Sequence, residues 1–173
     1  MKNKKKNGDG YLIWITGLSG SGKTSIAKKI FPYIKKKFGP SLLINGDDLR
    51  SIFKLFKYDL KTRFDNGIKF SNLFKLITKQ KINVIFAGSG LFHKLRSYNK
   101  KNFQNYLEIY IKSDIATIIK KKRKTKIYNL KKDVYGLSLK PELPKKPDIE
   151  ILNDHSKSIK FLSDKIKREI SKI

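Results

Sequence analysis

The segment Tyr11–Thr16 is an unbroken apolar, β-prone run, and Ser41–Asn45, Ile82–Ala87, Tyr106–Ile111 and Ile149–Leu152 repeat the pattern. Short continuous runs of this kind predict strands covered on both faces, as in a parallel sheet. The stretches between them carry helical spacing. Ile26, Ile30 and Ile34 mark one helix face, with Pro32 expected to kink or end that helix; Ile68, Leu73, Leu76 and Ile77 mark another. Asp47 and Asp48 stand where an N-cap belongs, Ser113 opens a helix over 113–122, and residues 156–173 close the chain as a helix. Strands alternating with helices predict an α/β sandwich with a mostly parallel sheet. Residues 1–10 read as a flexible basic tail and 11–173 as a single domain. Within it, 123–132 is charged without an apolar face, and Pro141, Pro144 and Pro147 mark a rigid loop.

The chain has 173 residues, 39% of them hydrophobic and 12% aromatic, which supplies a core and argues against a disordered basic protein. With no cysteine, disulfides, thiolate metal sites and cysteine nucleophiles are excluded. No apolar run approaches membrane-spanning length, and the run after the basic start leads into glycines rather than a cleavage site, so a cytoplasmic protein is expected. The formal charge is +27, yet 36 of the 41 basic residues are lysines and only five are arginines. A surface built to read nucleic acid favours arginine for bidentate contacts, so the charge reads as a solvated lysine surface and nucleic acid is not the expected partner. His93 and His155 suggest no metal site.

The chemistry is concentrated in Gly17-Leu-Ser-Gly-Ser-Gly22-Lys23-Thr24, which satisfies G-x-x-x-x-G-K-S/T between a strand and a helix. Glycines let successive N–H groups curl around phosphate oxygens, and the helix N-terminus adds its dipole. Gly17, Ser19, Gly20, Ser21, Gly22, Lys23, Thr24 and Ser25 are the expected nucleotide-binding residues. Lys23 reaches the β- and γ-phosphates, and Thr24 supplies a hydroxyl to Mg²⁺. ATP and Mg²⁺ are thus the expected cofactors. The absence of N-K-x-D and the small size favour a kinase over a GTPase. The strand 82–87 ends in Gly-Ser-Gly rather than in a metal-holding carboxylate.

Four ordered motifs resemble the adenylylsulfate (APS) kinases. The loop Gly17–Thr24 has the family's G-L-S-G-x-G-K-S/T form, and Asn45-Gly-Asp-Asp-Leu-Arg50 resembles its D-G-D-x-x-R. Tyr58, Arg63 and Asn66 stand at the family's spacing, and residues 136–148 align without a gap to G-I-D-x-P-Y-E-x-P-x-N-P-D. The resemblance implies a P-loop NTPase fold, a three-layer sandwich with a five-stranded parallel sheet. It also implies transfer of the γ-phosphate of ATP to the ribose 3′-hydroxyl of APS, a small-molecule nucleotide acceptor. Asp47 would orient or deprotonate that hydroxyl, or hold a magnesium-bound water, and Arg50 and Arg63 would grip the acidic end of the acceptor. Tyr58, Asn66, Ser89 and Lys131 would complete its site, and residues 120–136 correspond to a mobile lid. A homodimer is compatible with this reading.

The departures fall on the acceptor side. Asn45 replaces the first Asp of D-G-D, Ser89-Gly-Leu replaces I-S-P, the lid signature is degraded, and Val134 replaces the phenylalanine that flanks the acceptor adenine. Relatives that phosphorylate cytidine diphosphoramidate offer an alternative acceptor. A non-catalytic ATP- and polyanion-binding module is a further alternative, disfavoured by the retained Asp47, Arg50, Arg63 and Asn66.

Overall fold

The structure is a computed structural model that describes residues 8–121, 128–129 and 132–173. Five parallel strands lie in the order β2-β3-β1-β4-β5: β1 (Leu12–Thr16), β2 (Ser41–Asn45), β3 (Asn83–Ala87), β4 (Tyr106–Lys112) and β5 (Ile149–Leu152). The helices are α1 (Lys23–Phe38), α2 (Gly46–Ile52), α3 (Leu60–Lys79), α4 (His93–Asn102), α5 (Ile115–Lys120) and α6 (Ile159–Ser171).

The period of two along each strand divides the core. Ile13 and Ile15 of β1 and Ile85 and Ala87 of β3 face α1 and α6, where Ile26, Ile30, Ile166 and Ile170 are fully buried. Leu12, Trp14, Val84 and Phe86 face the opposite layer, meeting Phe70, Phe74 and Leu95 of α3 and α4. Trp14 stands edge-on to Phe86, with ring centroids 4.6 Å apart. The result is the three-layer α/β sandwich expected from the sequence. A third cluster, with Leu18, Leu91, Ile118, Tyr128, Val134 and Tyr135, lies where the glycine-rich turn, the entry to α4 and residues 134–135 converge.

Several local expectations are corrected. Helix α1 runs through Pro32 to Phe38. Pro32 lies on the exposed face, where water can satisfy the carbonyl it frees, while Ile30 and Ile34 hold both sides of it against the sheet. Helix α2 begins at Gly46, so Asp47 and Asp48 occupy its first turn instead of its cap, and Asn45 Nδ2 donates to Asp48 Oδ2 at 2.8 Å. Asp114, not Ser113, caps α5, its carboxylate accepting from the Thr117 amide at 2.9 Å. Ser158 caps α6 in the same way through the Phe161 amide. Helix α4 was not expected at all.

Candidate active site

The strand order brings the C-terminal ends of β1, β2 and β3 to one edge, the side on which open α/β sheets bind ligands. A cavity of about 1040 Å³ opens there. After Thr16 the chain turns through Gly17–Gly22 into α1. At Gly17 (φ +147°) a Cβ would lie 2.4 Å from the Ile111 carbonyl oxygen, so only glycine lets the turn press against β4. Gly22 enters α1 in the left-handed conformation (φ 94°, ψ 6°) and offers no side-chain cap, and no acidic residue occupies the first turn. An anion is the natural partner for amides left in this way at a helix N-terminus.

Of the residues expected in the cradle, Ser19, Gly20, Gly22, Lys23, Thr24 and Ser25 line the cavity. Gly17 and Ser21 form the inner side of the turn. The Ser21 side chain is fully buried, its amide donates to the Leu18 carbonyl at 3.2 Å, and its carbonyl accepts from Asn153 Nδ2 at 2.9 Å. Lys23 Nζ folds back over the turn and donates to the Leu18 carbonyl at 2.6 Å. Tyr128 donates its hydroxyl to the Ser19 carbonyl at 2.6 Å. Asn153, just after β5 and 1% exposed, is itself fixed: its carbonyl accepts from Ser113 Oγ at 2.7 Å and its Oδ1 from the His155 amide at 3.0 Å. Sequence reasoning missed Asn153 because a lone asparagine beyond a strand carries no pattern.

The opposite wall is built from α2, α3 and residues 132–135. Asp47, Arg50, Tyr58, Arg63, Asn66 and Ser89 all line the same cavity as Lys23 and Thr24. Arg50 donates to the Lys57 carbonyl at 2.6 Å and lays its guanidinium on the Tyr58 ring, 4.0 Å from the centroid. Arg63 donates to the Tyr58 and Asp133 carbonyls, the latter at 2.7 Å, and sits between the rings of Tyr58 and Tyr135 at 5.1 and 4.7 Å. Burial pushes the Arg63 pKa below the ordinary arginine value, with Tyr135 opposing the shift. The Ser89 carbonyl accepts from Thr16 Oγ1, tying the loop after β3 to the end of β1. Asn45 Oδ1, Arg50 Nε and Asn66 Nδ2 are buried polar atoms without a hydrogen-bond partner, and all three residues line the cavity.

Asp133 and Tyr135 also line the cavity and were not proposed as site residues from the sequence, while Val134, which the sequence placed only as a departure on the acceptor side, lies between them. Lys131, expected in the acceptor site, lies outside the described residues, as does part of the expected lid. Among the described residues no cluster of three or more histidine or carboxylate side chains could hold a metal ion. The Thr24 hydroxyl and the Asp47 carboxylate do line one cavity, and such hard oxygen donors suit Mg²⁺, which keeps several waters of its own.

The adenylylsulphate kinase family model matches residues 9–152, taking in both walls of the cavity. The chain belongs to the adenylylsulphate kinase family. The chain is similar to a cytidine diphosphoramidate kinase from Campylobacter jejuni, 33% identical over 150 residues that span 84% of this chain and 86% of the relative. An adenylyl-sulfate kinase from Halothermothrix orenii is 26% identical over 181 residues, covering 95% and 94% of the two chains. The Mycobacterium tuberculosis APS kinase in complex with AMPPNP and APS superposes with a TM-score of 0.82 at 20% identity, covering 95% of this chain and 99% of that one. This adenylylsulphate kinase family member is therefore a P-loop kinase, a phosphotransferase acting on a hydroxyl. No helix among its described residues is long and apolar enough to cross a membrane.

Proposed function

We propose that the chain transfers the γ-phosphate of MgATP to the ribose 3′-hydroxyl of a nucleotide with an acidic 5′-anhydride, and that this acceptor is cytidine diphosphoramidate. One observation carries the reading: a single cavity reaches from Lys23 and Thr24 to Asp47, Arg50, Arg63 and Asn66. Phosphoryl transfer needs donor and acceptor held in line and their charge balanced, with little covalent work from the protein. The amides at the start of α1 and Lys23 hold the phosphates of ATP. The Thr24 hydroxyl and the Asp47 carboxylate would hold Mg²⁺, which would supply positive charge to balance that of the phosphates. Asp47 orients the attacking hydroxyl and takes its proton as the new O–P bond forms and the bond to ADP breaks. Arg50 and Arg63, pre-set by their tyrosine neighbours, bind the acidic end of the acceptor. A polar acceptor also satisfies the buried atoms of Asn45, Arg50 and Asn66, which otherwise cost free energy.

The choice of a cytidine acceptor rests on the 33% identical relative and on the acceptor-side residues Asn45 and Val134. A branched aliphatic side chain offers less stacking surface than an aromatic ring. Adenylyl sulfate is the second reading, favoured by the retained motifs around Asp47, Arg50, Arg63 and Asn66 and by the relatives that carry that name. ADP release with MgATP and, separately, cytidine diphosphoramidate, CDP, adenylyl sulfate and AMP tests both. Turnover is expected with the first; turnover with adenylyl sulfate alone transfers the assignment to the second reading. ATP binding with no turnover on any of the four overturns both.

A further inference from the structure

Behind the acceptor wall a small polar network joins α4 to the proline-bearing loop 141–148. The Glu142 carboxylate accepts from the amide of His93, the first residue of α4. One turn on, Arg96 Nη2 donates to the Glu142 carbonyl and to His93 Nδ1, the latter at 2.6 Å. Its Nε faces Glu108 Oε1 of β4 at 3.7 Å, with both side chains less than a tenth exposed. The Glu142 amide donates to the Leu91 carbonyl at 3.1 Å. At the other end of the loop, Asp148 Oδ2 accepts from the Glu108 amide at 2.7 Å. The loop is therefore pinned at both ends, mostly by bonds that carry charge, which are the stronger kind.

The segment just before this loop faces the cavity. The amides of Leu137, Ser138 and Leu139 all donate to the Val134 carbonyl at 3.0–3.1 Å, and Gly136 donates to the Leu139 carbonyl at 2.8 Å, so 134–139 is one tight turn. Asp133 and Tyr135 present to Arg63 the carbonyl and the ring described above. On its far side Tyr135 meets Phe92 edge-on, 6.2 Å between centroids, one residue before α4. Arg96 and Glu142 do not line the cavity, but Glu142 holds the Leu91 carbonyl and the His93 amide on either side of Phe92, which packs on Tyr135.

We propose that Arg96 and Glu142 are positioning residues that act through the 133–139 turn on Arg63 and so tune the acceptor side of the site alone. This rests on the reading that Arg63 binds the acceptor. A pair that merely stapled the fold together would affect both substrates alike.

The test compares Glu142→Ala, which removes the acceptor for the His93 amide, with Glu142→Gln, which keeps one; Arg96→Met is the harsher second variant. Amide hydrogen exchange over 133–139 is read on the protein without substrates, and KM is read for ATP and for the acceptor that the unaltered chain turns over. Glu142→Ala and Arg96→Met are expected to speed exchange in 133–139 and to raise the acceptor KM about tenfold, with the ATP KM changed less than about twofold. Glu142→Gln is expected to behave as the unaltered chain. Unchanged exchange overturns the proposal. So does a parallel rise in both KM values, or faster exchange with an unchanged acceptor KM. The exchange arm needs no turnover, so silence of the unaltered chain on every acceptor counts against the proposed function while the part played by Arg96 and Glu142 is judged separately.

Discussion

Arg63 spends its guanidinium on two carbonyls and two tyrosine rings, and so enters the site already oriented. The scarcity of arginine drew attention to it and to Arg50, and the resemblance to a known family gave both their place in the candidate site. Tyr135 was not, because its contact with Arg63 crosses 72 positions and an isolated tyrosine carries no spacing. Lys23 presents the opposite case, since the glycine motif names it and its side chain lies over the turn. Lys23→Ala is expected to lower turnover on the order of 10²- to 10³-fold, as loss of one preorganised charge-stabilising donor does, with the circular dichroism spectrum unchanged. Glu108 bears on stability instead of activity. Burial pushes its carboxyl up to about 7 from 4.5, with the Arg96 guanidinium pulling the other way. The folded chain therefore holds a proton that the unfolded chain releases. The stabilisation is complete below about pH 4.5 and lost as pH rises through about 7. Urea unfolding at pH 5 and pH 8 should register this as a loss on the order of 3 kcal/mol. Glu108→Gln should be less sensitive to pH by that amount.

Elements were legible where one physical signal dominated. The strands β1 and β3 are buried on both faces and read as continuous apolar runs. Helix α4 was illegible because its buried face consists of Leu95, Arg96 and Asn99, two polar residues out of three, which erases the apolar period. The Arg96 contacts and the Ser71–Asn99 bond at 2.8 Å do the work that leucines do elsewhere. Pro32 misled for the converse reason, a local breaker outvoted by the buried isoleucines around it. At this scale Asn153 is the joint between β5 and the glycine-rich turn. Asn153→Ala is expected to raise the ATP KM about tenfold while leaving the acceptor KM near its starting value. Ser158→Ala, which removes only the cap of α6, should lower stability by about 1 kcal/mol without touching either KM.

The whole molecule carries a formal charge of +27, spread mainly over lysines along the length of the chain. Self-repulsion of that size opposes compaction and is screened by salt, so the thermal midpoint should rise as NaCl goes from about 10 mM to about 300 mM. A falling midpoint would show that attractive pairs dominate, against the few ion pairs described. The fold and the phosphate-binding half of the site were legible at this scale because one motif and five strand patterns agree. The acceptor half was legible only through resemblance, since the 132–135 segment reaches the cavity by tertiary packing. Two sets of bonds behind the site have no residue in common: Asn153 and Ser113 serve the glycine-rich turn, while Arg96, Glu142 and Glu108 serve the opposite wall. Changes at Asn153 and at Arg96 should combine additively. A lineage built on this plan is free to drift from one acceptor to another by single substitutions, never crossing an ancestor that has lost its grip on ATP.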